Sequence, residues 1–392
     1  VRGGGDRAPV SIKLAMVGLR APWGTEGGVE ASVAELAPRL VARGVDVTVY
    51  CRARYNPHGN TVREGVRLRD SPTLHGRSAE AFVHSGIAVP RACLHHDLVH
   101  IHACGPAIFS GLPRLFGRRC VVTLHGMDWT RQKWGAVARA VLRAGADTAG
   151  RSADAVITVS EELREWAAGR FEVPVHHVPN GVNAHHPVAW DPTIFPELAP
   201  GRYLLFLGRL VPEKEVETLL RAASRTRSPL RIVITGGSTY TDAYQSRLRS
   251  LAGDNVVFTG PRYGIEKRML LTHARGFMLP SRVEGLPIAL LEAMTAGLPT
   301  LTSSIRPNEE VLGAVGGWRL PCGDVAAWAR AFEEVADADD ALLRRWGEDG
   351  RARALASFGW EPVVDRTLAI YEQVLGRAAT SEAAPGLRAA AE

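Results

Sequence analysis

At 392 residues the chain is long enough for two domains of ordinary size, and 46% hydrophobic against 22% charged residues lets it bury real cores. No run of 18 or more apolar residues occurs, so no membrane-spanning helix is expected; the first ten residues, VRGGGDRAPV, lack the apolar stretch of a secretion signal, and the expected setting is cytoplasmic. The net charge of +6 is uneven: residues 1–190 carry 23 Lys and Arg against 16 Asp and Glu, whereas residues 191–392 carry 24 against 25. A basic first half admits an anionic partner such as a phosphorylated acceptor or, peripherally, a membrane surface. The excess is dispersed arginine without a dense run, so it also fits an ordinary solubilising surface, and no nucleic-acid partner is expected. The five cysteines (Cys51, Cys93, Cys104, Cys120, Cys322) are scattered without a C-x-x-C, as small core residues are, and suggest neither a disulfide frame nor a zinc site.

In chain order, residues 12–19 (IKLAMVGL) form an apolar run of strand length, followed by a glycine-containing loop, APWGTEGG, and a helix from about Val29. Val29, Val33, Leu36, Leu40 and Val41 recur at helical spacing and mark its buried stripe, interrupted by Pro38 as a potential kink. Arg43-Gly44 ends the helix, and VDVTVYCR (45–52) is the next strand. Strand, glycine loop, helix and strand make one βαβ unit, the first piece of a doubly wound sheet. Further strands are expected at 97–103, 120–126 and 154–160, with helices at 133–151 and after Ser160, and VPVHHVPNGV (173–182) closes this half. The segment 185–201 carries Pro187, Pro192, Pro196 and Pro200 without periodicity and is the candidate interdomain linker.

The second half restarts the same pattern. Strands are expected at 203–210, 231–237, 255–260, 276–281 and 299–304, separated by helices at about 213–224, 242–252, 265–274 and within 284–297. Repeated β/α alternation means a parallel sheet covered on both faces. The expected fold class is therefore α/β, with two Rossmann-like domains facing each other: 1–185, a linker at 186–201, and 202–360. Helices around 341–356 and 361–377 have no strand to follow and are expected to fold back across the first domain, and the tail 378–392 is low in complexity and expected to be disordered.

Chemistry concentrates in SRVEGLPIALLEAMTAG (281–297). Glu284 sits where a strand ends, the crevice position that open α/β sheets use for ligands. Pro287 suits a first helical residue, and the helix start offers free amides around Leu286 and Ile288 with a positive dipole end, a seat for phosphate. Glu292 follows about one and a half turns in. Two carboxylates beside a phosphate seat make electrostatic sense if they bind hydroxyls, which points to a sugar at one end and a ribose at the other.

This segment resembles the E-x7-E motif of retaining GT-B glycosyltransferases, above all glycosyltransferase family 4. Other pieces resemble that family in the expected order: GTEGGVEASVAELAPRLVARGVDVTVYCR (24–52), VVTLHGMD (121–128), ITVSEEL (157–163), VPNGVN (178–183) and GRLVPEKEVETLLRA (208–222), the last similar to its G-R-x4-K-G motif. The resemblance covers residues from about 11 to 375. Glu215 stands where the family has glycine, a departure expected to change the turn after Lys214. The resemblance implies a GT-B fold whose C-terminal helix crosses back to the first domain. It also implies transfer of a sugar from a nucleoside diphosphate to an acceptor hydroxyl with retention, and no metal or other cofactor. It assigns Arg209 and Lys214 to the donor diphosphate, Glu284 to the transferred sugar, Glu292 to the ribose, and Gly285, Leu286, Pro287 and Ile288 to the donor cradle. Gly27 and Gly28 would let backbone amides approach the donor from the first domain, Tyr263 would lie near the base, His125 near the sugar, and Asp128 on the acceptor side.

His100 and His102 share one face of a strand, but no carboxylate or cysteine completes a metal set with them. No G-x-G-x-x-G follows a strand and no Walker A sequence occurs, which argues against a nicotinamide dehydrogenase or a P-loop enzyme. A GT-B nucleotide-sugar epimerase and a non-catalytic sugar-binding subunit remain as rival readings. Retention of Arg209, Lys214 and Glu284 favours transfer.

Overall fold

The computed structural model describes residues 11–23, 27–73, 80–130, 134–237 and 242–376. Gly24–Glu26 of the glycine loop, Lys133 at the start of an expected helix, and the tail 378–392 lie outside them.

The first sheet contains β1 (Lys13–Val17), β2 (Asp46–Arg52), β3 (Val62–Arg63), β4 (Val66–Ser71), β5 (Leu98–His102), β6 (Arg119–Leu124), β7 (Ala155–Thr158) and β8 (Val175–His177). Its order is β3-β4-β2-β1-β5-β6-β7-β8, parallel throughout except for the β3–β4 hairpin. Its helices are α1 (Gly28–Ala42), α2 (Glu80–His95), the short α3 (Leu112–Leu115), α4 (Ala136–Ser152) and α5 (Glu161–Ala168).

The second sheet contains β9 (Tyr203–Leu207), β10 (Arg231–Thr235), β11 (Val256–Gly260), β12 (Gly276–Leu279), β13 (Thr300–Ser303) and β14 (Trp318–Leu320), ordered β11-β10-β9-β12-β13-β14. Around it run α6 (Val216–Ala223), α7 (Asp242–Ser250), α8 (Gly264–His273), α9 (Ile288–Thr295), α10 (Arg306–Leu312), α11 (Val325–Asp337) and α12 (Asp340–Phe358), and α13 (Trp360–Leu375) ends the described chain.

Strands such as YLLFL and LVHIH are buried along their whole length because helices cover both faces, which explains their continuous apolar runs. In each sheet the strand order reverses once, between β1 and β5 in the first and between β9 and β12 in the second. Loops at the carboxyl ends of these strands open into the crevice that such a reversal creates. The α1 stripe is buried at Val33, Leu36 and Leu40 as its spacing predicts, and the helix continues unbroken through Pro38.

Three parts of the chain depart from the sequence expectation. The β3–β4 hairpin and α2 were not anticipated: β4 (VRLRDS) is half charged, and α2 carries both Gly86 and Pro90. Of the last two helices only α13 returns to the first domain, where Trp360, Val363, Val364, Ile370 and Tyr371 join Leu14, Met16, Val33 and Leu36 in one core; α12 packs on α9. The proline-rich segment is anchored, with Phe195 and Leu198 buried in the second domain's core.

The chain thus passes between the domains twice, at 181–182 and 358–360, and the two passages touch. Val182 N–H donates to the Phe358 carbonyl at 2.7 Å, and Gly181 lies so close to the Trp360 ring that a Cβ there would stand 2.2 Å from it. Four cysteines are buried, whereas Cys322 is exposed, contrary to the core role expected for all five; all are free thiols.

Candidate active site

On the second-domain side, the loop after β9 supplies Arg209 and Lys214. Lys214 ends a short 3-10 turn, Pro212–Lys214, and its Nζ reaches Glu284 Oε1, 2.5 Å away in the loop after β12. The pair is nearly enclosed, with side chains 14% and 9% exposed. The family resemblance assigns Lys214 to the donor diphosphate; the fold joins it to the first carboxylate of the E-x7-E segment.

Glu215 follows in a left-handed conformation (φ 51°, ψ 33°), and α6 starts only at Val216. The backbone keeps the shape that glycine adopts without cost, and the glutamate is accommodated by carboxylate contacts with Arg282 Nη2 (2.6 Å) and Thr218 Oγ1 (2.9 Å).

Glu292 lies on α9 and pairs with Lys267 Nζ of α8 at 2.7 Å. Each carboxylate of the motif thus has its own lysine, which removes the electrostatic oddity of an acidic pair beside a phosphate seat. Pro287 precedes the helix as its cap rather than forming its first residue, one position from the expectation. No side chain caps α9; Leu290 N–H donates to the Pro287 carbonyl at 3.0 Å, and the Ile288 and Ala289 amides ahead of it have no intrahelical acceptor. Tyr263 sits just before α8 and is exposed, and the next residue, Gly264, lines the cavity described below.

The first-domain wall is built differently. His125 follows β6, and burial pushes its imidazole down to about 4 against the opposing pull of the Asp128 and Glu30 carboxylates. Glu30, in the first turn of α1, is buried and accepts from Arg20 Nε at 3.0 Å. Its carboxylate explains Gly27: a Cβ there would stand 1.9 Å from Glu30 Oε2. Gly28 faces Ile288 across the cleft, with 3.7 Å between an added Cβ and Ile288 Cδ1.

The two walls touch at Gly285. A Cβ on that residue would stand 2.0 Å from the His125 carbonyl oxygen, so only glycine lets the domains close here. A second contact, Arg306 Nη2 to Glu165 Oε2 at 2.8 Å, ties α10 to α5 on the far side of the interface. The structure therefore brings His125, Gly27, Gly28, Glu284, Gly285 and Lys214 to one cleft. Beside it lies a cavity of about 430 Å³, lined by Ser32 and Glu35 of α1, Asn183, Lys267, Arg268 and Glu292.

The profile of Glycosyltransferase Family 4 matches residues 26–186 and that of Glycosyl transferases group 1 matches residues 194–353, so that the two together take in both domains. The chain belongs to the family 4 type glycosyltransferases. Among its relatives is alpha-maltose-1-phosphate synthase of Mycobacterium tuberculosis, 26% identical over 93% of this chain and 100% of that protein. Phosphatidyl-myo-inositol mannosyltransferase of Mycobacterium leprae is 28% identical over 91% and 96%. The fold matches sucrose-phosphate synthase from Thermosynechococcus elongatus with a TM-score of 0.81 (20% identity; 93% of this chain, 99% of that one). It also matches Anabaena HepE in complex with UDP-glucose, with a TM-score of 0.74 (16% identity; 92% and 100%). The GT-B architecture and glycosyl transfer expected from the motifs both hold, and the comparisons support neither an epimerase nor a non-catalytic subunit.

Reading the glycosyltransferase from sequence missed Lys267, Glu30 and Arg20. Lys267 sits a turn into α8 with nothing local to mark it, and its pairing with Glu292 joins residues 25 apart in the sequence. Glu30 carried a signal, being an acid in the first turn of a helix that opens on two glycines. His100 and His102 were noted as sharing a face, which they do, and their rings are engaged with Tyr371, Thr123 and His125. Among the described residues no three His, Cys, Asp or Glu side chains are grouped to hold a metal.

Proposed function

We propose that this glycosyltransferase binds its nucleoside-diphosphate sugar across the two lysine–glutamate pairs, with the diphosphate between the α9 amides, Arg209 and Lys214. Lys214 donates to phosphate oxygens while Glu284 turns its carboxylate to hydroxyls of the transferred sugar. Lys267 and Glu292 hold the ribose, and the adjoining cavity takes the nucleoside, with Tyr263 at its edge. Gly27 and Gly28 admit the donor's phosphate or sugar close to the first-domain backbone, and Gly285, Leu286 and Pro287 complete the cradle. His125 approaches the sugar, and Asp128 faces the acceptor. The observation that carries this reading is the placement of both pairs around the α9 start, opposite His125.

In the reaction so placed, the bond from the anomeric carbon to the diphosphate oxygen breaks as the acceptor oxygen attacks from the same face. The acceptor's proton passes to the departing phosphate oxygen. Arg209 and Lys214 stabilise the charge that builds there, and the balance calls for no metal. Domain closure at Gly285 excludes water and so suppresses hydrolysis of the donor.

The reaction belongs, in this proposal, to the cytoplasm. No helix among the described residues is long and apolar enough to cross a membrane. Arg39, Arg43, Arg67, Arg118 and Arg119 all stand in ion pairs with carboxylates, which disperses the basic excess of the first half.

A thermal-shift screen against UDP, GDP, TDP and ADP tests the reading. A ligand at a hundredfold excess over its Kd adds about 2.7 kcal/mol of stability, so one of the four should raise the melting temperature clearly. No shift with any of them would remove the proposal.

A further inference from the structure

Behind His125 the first domain carries a column of buried rings. The Tyr371 hydroxyl, on the returning helix α13, stands 2.6 Å from His100 Nδ1, and His100 Nε2 stands 2.7 Å from Thr123 Oγ1. The His100 ring rests on that of His102, with centroids 4.1 Å apart. His102 Nδ1 then lies 3.2 Å from His125 Nε2. His100, His102 and Tyr371 are buried, whereas His125 is partly exposed at the cleft.

The hydrogen bonds decide where the protons sit. Three imidazoles this close in a buried column are neutral, so each ring carries one proton. His102 Nε2 is buried without a hydrogen-bond partner among the described residues. A bare acceptor nitrogen is tolerated there at lower cost than a bare N–H. The His102 proton is therefore on Nδ1 and is donated to His125 Nε2, which leaves the His125 proton on Nδ1. Among the described residues that nitrogen has no hydrogen-bond partner, and the His125 ring is partly exposed at the cleft.

We propose that His102 is a positioning residue: it fixes the tautomer and the ring plane of His125 so that an Nδ1–H donor faces the transferred sugar, and Tyr371 clamps the column through His100. This rests on the assignment of His125 to the sugar. It also gives the crossing helix a task beyond packing. Its Tyr371 end braces the histidines, while its Trp360 end lies at the two passages between the domains.

The test is a mutant cycle read as release of nucleoside diphosphate from whichever of UDP-glucose, GDP-mannose, TDP-glucose and ADP-glucose the enzyme turns over. His102→Leu should lower kcat about tenfold or more with KM for the donor nearly unchanged, as a slightly misplaced group does. His102→Asn, which can set an amide nitrogen close to the position of the imidazole Nδ1, should recover most of that loss. The double variant His102→Leu/His125→Ala should be no slower than His125→Ala, because His102 acts only through His125.

Losses that multiply in the double variant would overturn the proposal, as would full activity in His102→Leu. Equal rates for the Leu and Asn variants at equal melting temperature would do the same. If His102→Leu does not fold, Tyr371→Phe serves: its smaller loss in kcat should vanish in the His125→Ala background, and a loss that persists there counts against the clamp. Full activity in His125→Ala would remove the histidine's role and this inference with it, whereas variants of Lys214 and Glu284 report on the donor site separately.

Discussion

The two walls of the cleft are built by opposite means. The second-domain wall is charged: Lys214 with Glu284 and Lys267 with Glu292 lie at the ends of strands and on helices around the α9 start. The first-domain wall is largely neutral. His100, His102 and His125 are stripped of charge by burial, with His100 pushed down to about 3 and His125 to about 4, and they hold one another through ring contacts and hydrogen bonds. In the proposed donor mode the difference follows the donor's own asymmetry. A diphosphate and two sets of hydroxyls need charge and strong acceptors, whereas the sugar ring and the attacking acceptor need shape, exclusion of water and a few neutral donors. Charge can be presented on short loops, but neutral histidines keep their place only if a packed core holds them.

The largest expected effects lie on the charged wall. Lys214→Ala removes the cation proposed to face the leaving group and leaves the Glu284 carboxylate enclosed without its partner. Turnover should fall by roughly 10²–10³-fold, the loss typical when one preorganised donor is removed. Glu284→Ala should likewise act mainly on kcat. Glu292→Ala should act mainly on nucleotide affinity; losing hydrogen bonds to a charged group costs about 1.5–3 kcal/mol, or roughly ten- to hundredfold in Kd. Steady-state kinetics beside calorimetric titration of the nucleotide separates the two classes. Equal and small effects from Glu284→Ala and Glu292→Ala would erase the division of labour between sugar and ribose.

The same contrast decides what could be read in advance. Glu284, Glu292, Arg209 and Lys214 sit in local segments whose spacing repeats a family pattern, and the strand-to-helix junctions that place them follow from apolar runs ended by Gly and Pro. The direct Lys214–Glu284 contact was not legible, because residues 70 apart in sequence meet only when β9 and β12 become neighbours in the sheet. Nor was the column behind His125, since Tyr371 and His100 are 271 residues apart and come together through a helix that leaves its own domain. The β3–β4 hairpin and α2 escaped for a related reason. Their charged or glycine- and proline-bearing sequences carry little periodicity, and burial against β2 and the 3-10 turn at Pro106–Phe109 defines them.

The neutral wall should reveal itself through acid sensitivity at an intermediate level. His125 is held down to about 4 and His100 to about 3, in each case chiefly by burial, whereas in an unfolded chain both protonate near 6.5. Below pH 6.5 the unfolded chain therefore binds more protons than the folded one. Stability is full above that value and declines as the pH falls toward 4, with the His100 share still being lost down to about 3. Melting temperatures at pH 7.5, 6.5, 5.5 and 4.5 should begin to fall below 6.5, before most carboxylates titrate. A flat profile between pH 7 and 5 would mean that these rings are not buried and neutral, and the contrast between the walls would go with them.

The smallest expected effect lies at Glu215, where the charged wall departs from its family. A non-glycine residue in the left-handed region costs about 1–2 kcal/mol, and here the carboxylate's contacts with Arg282 and Thr218 offset part of that. Arg282 is 56% exposed, so its ion pair contributes little, within the range of about 0–1 kcal/mol for such pairs. Glu215→Gly should therefore relieve more strain than it loses in contacts and stabilise the protein by up to about 1 kcal/mol, less the extra chain entropy that glycine brings. Glu215→Ala keeps the strained backbone and loses both contacts, so it should be the least stable of the three. Urea midpoints should rank glycine first, glutamate second and alanine last, with turnover nearly unchanged because the Lys214–Glu284 pair survives in each. If alanine proves as stable as glycine, backbone strain is not what distinguishes this turn. The glutamate would then be kept for its grip on Arg282, two residues before Glu284.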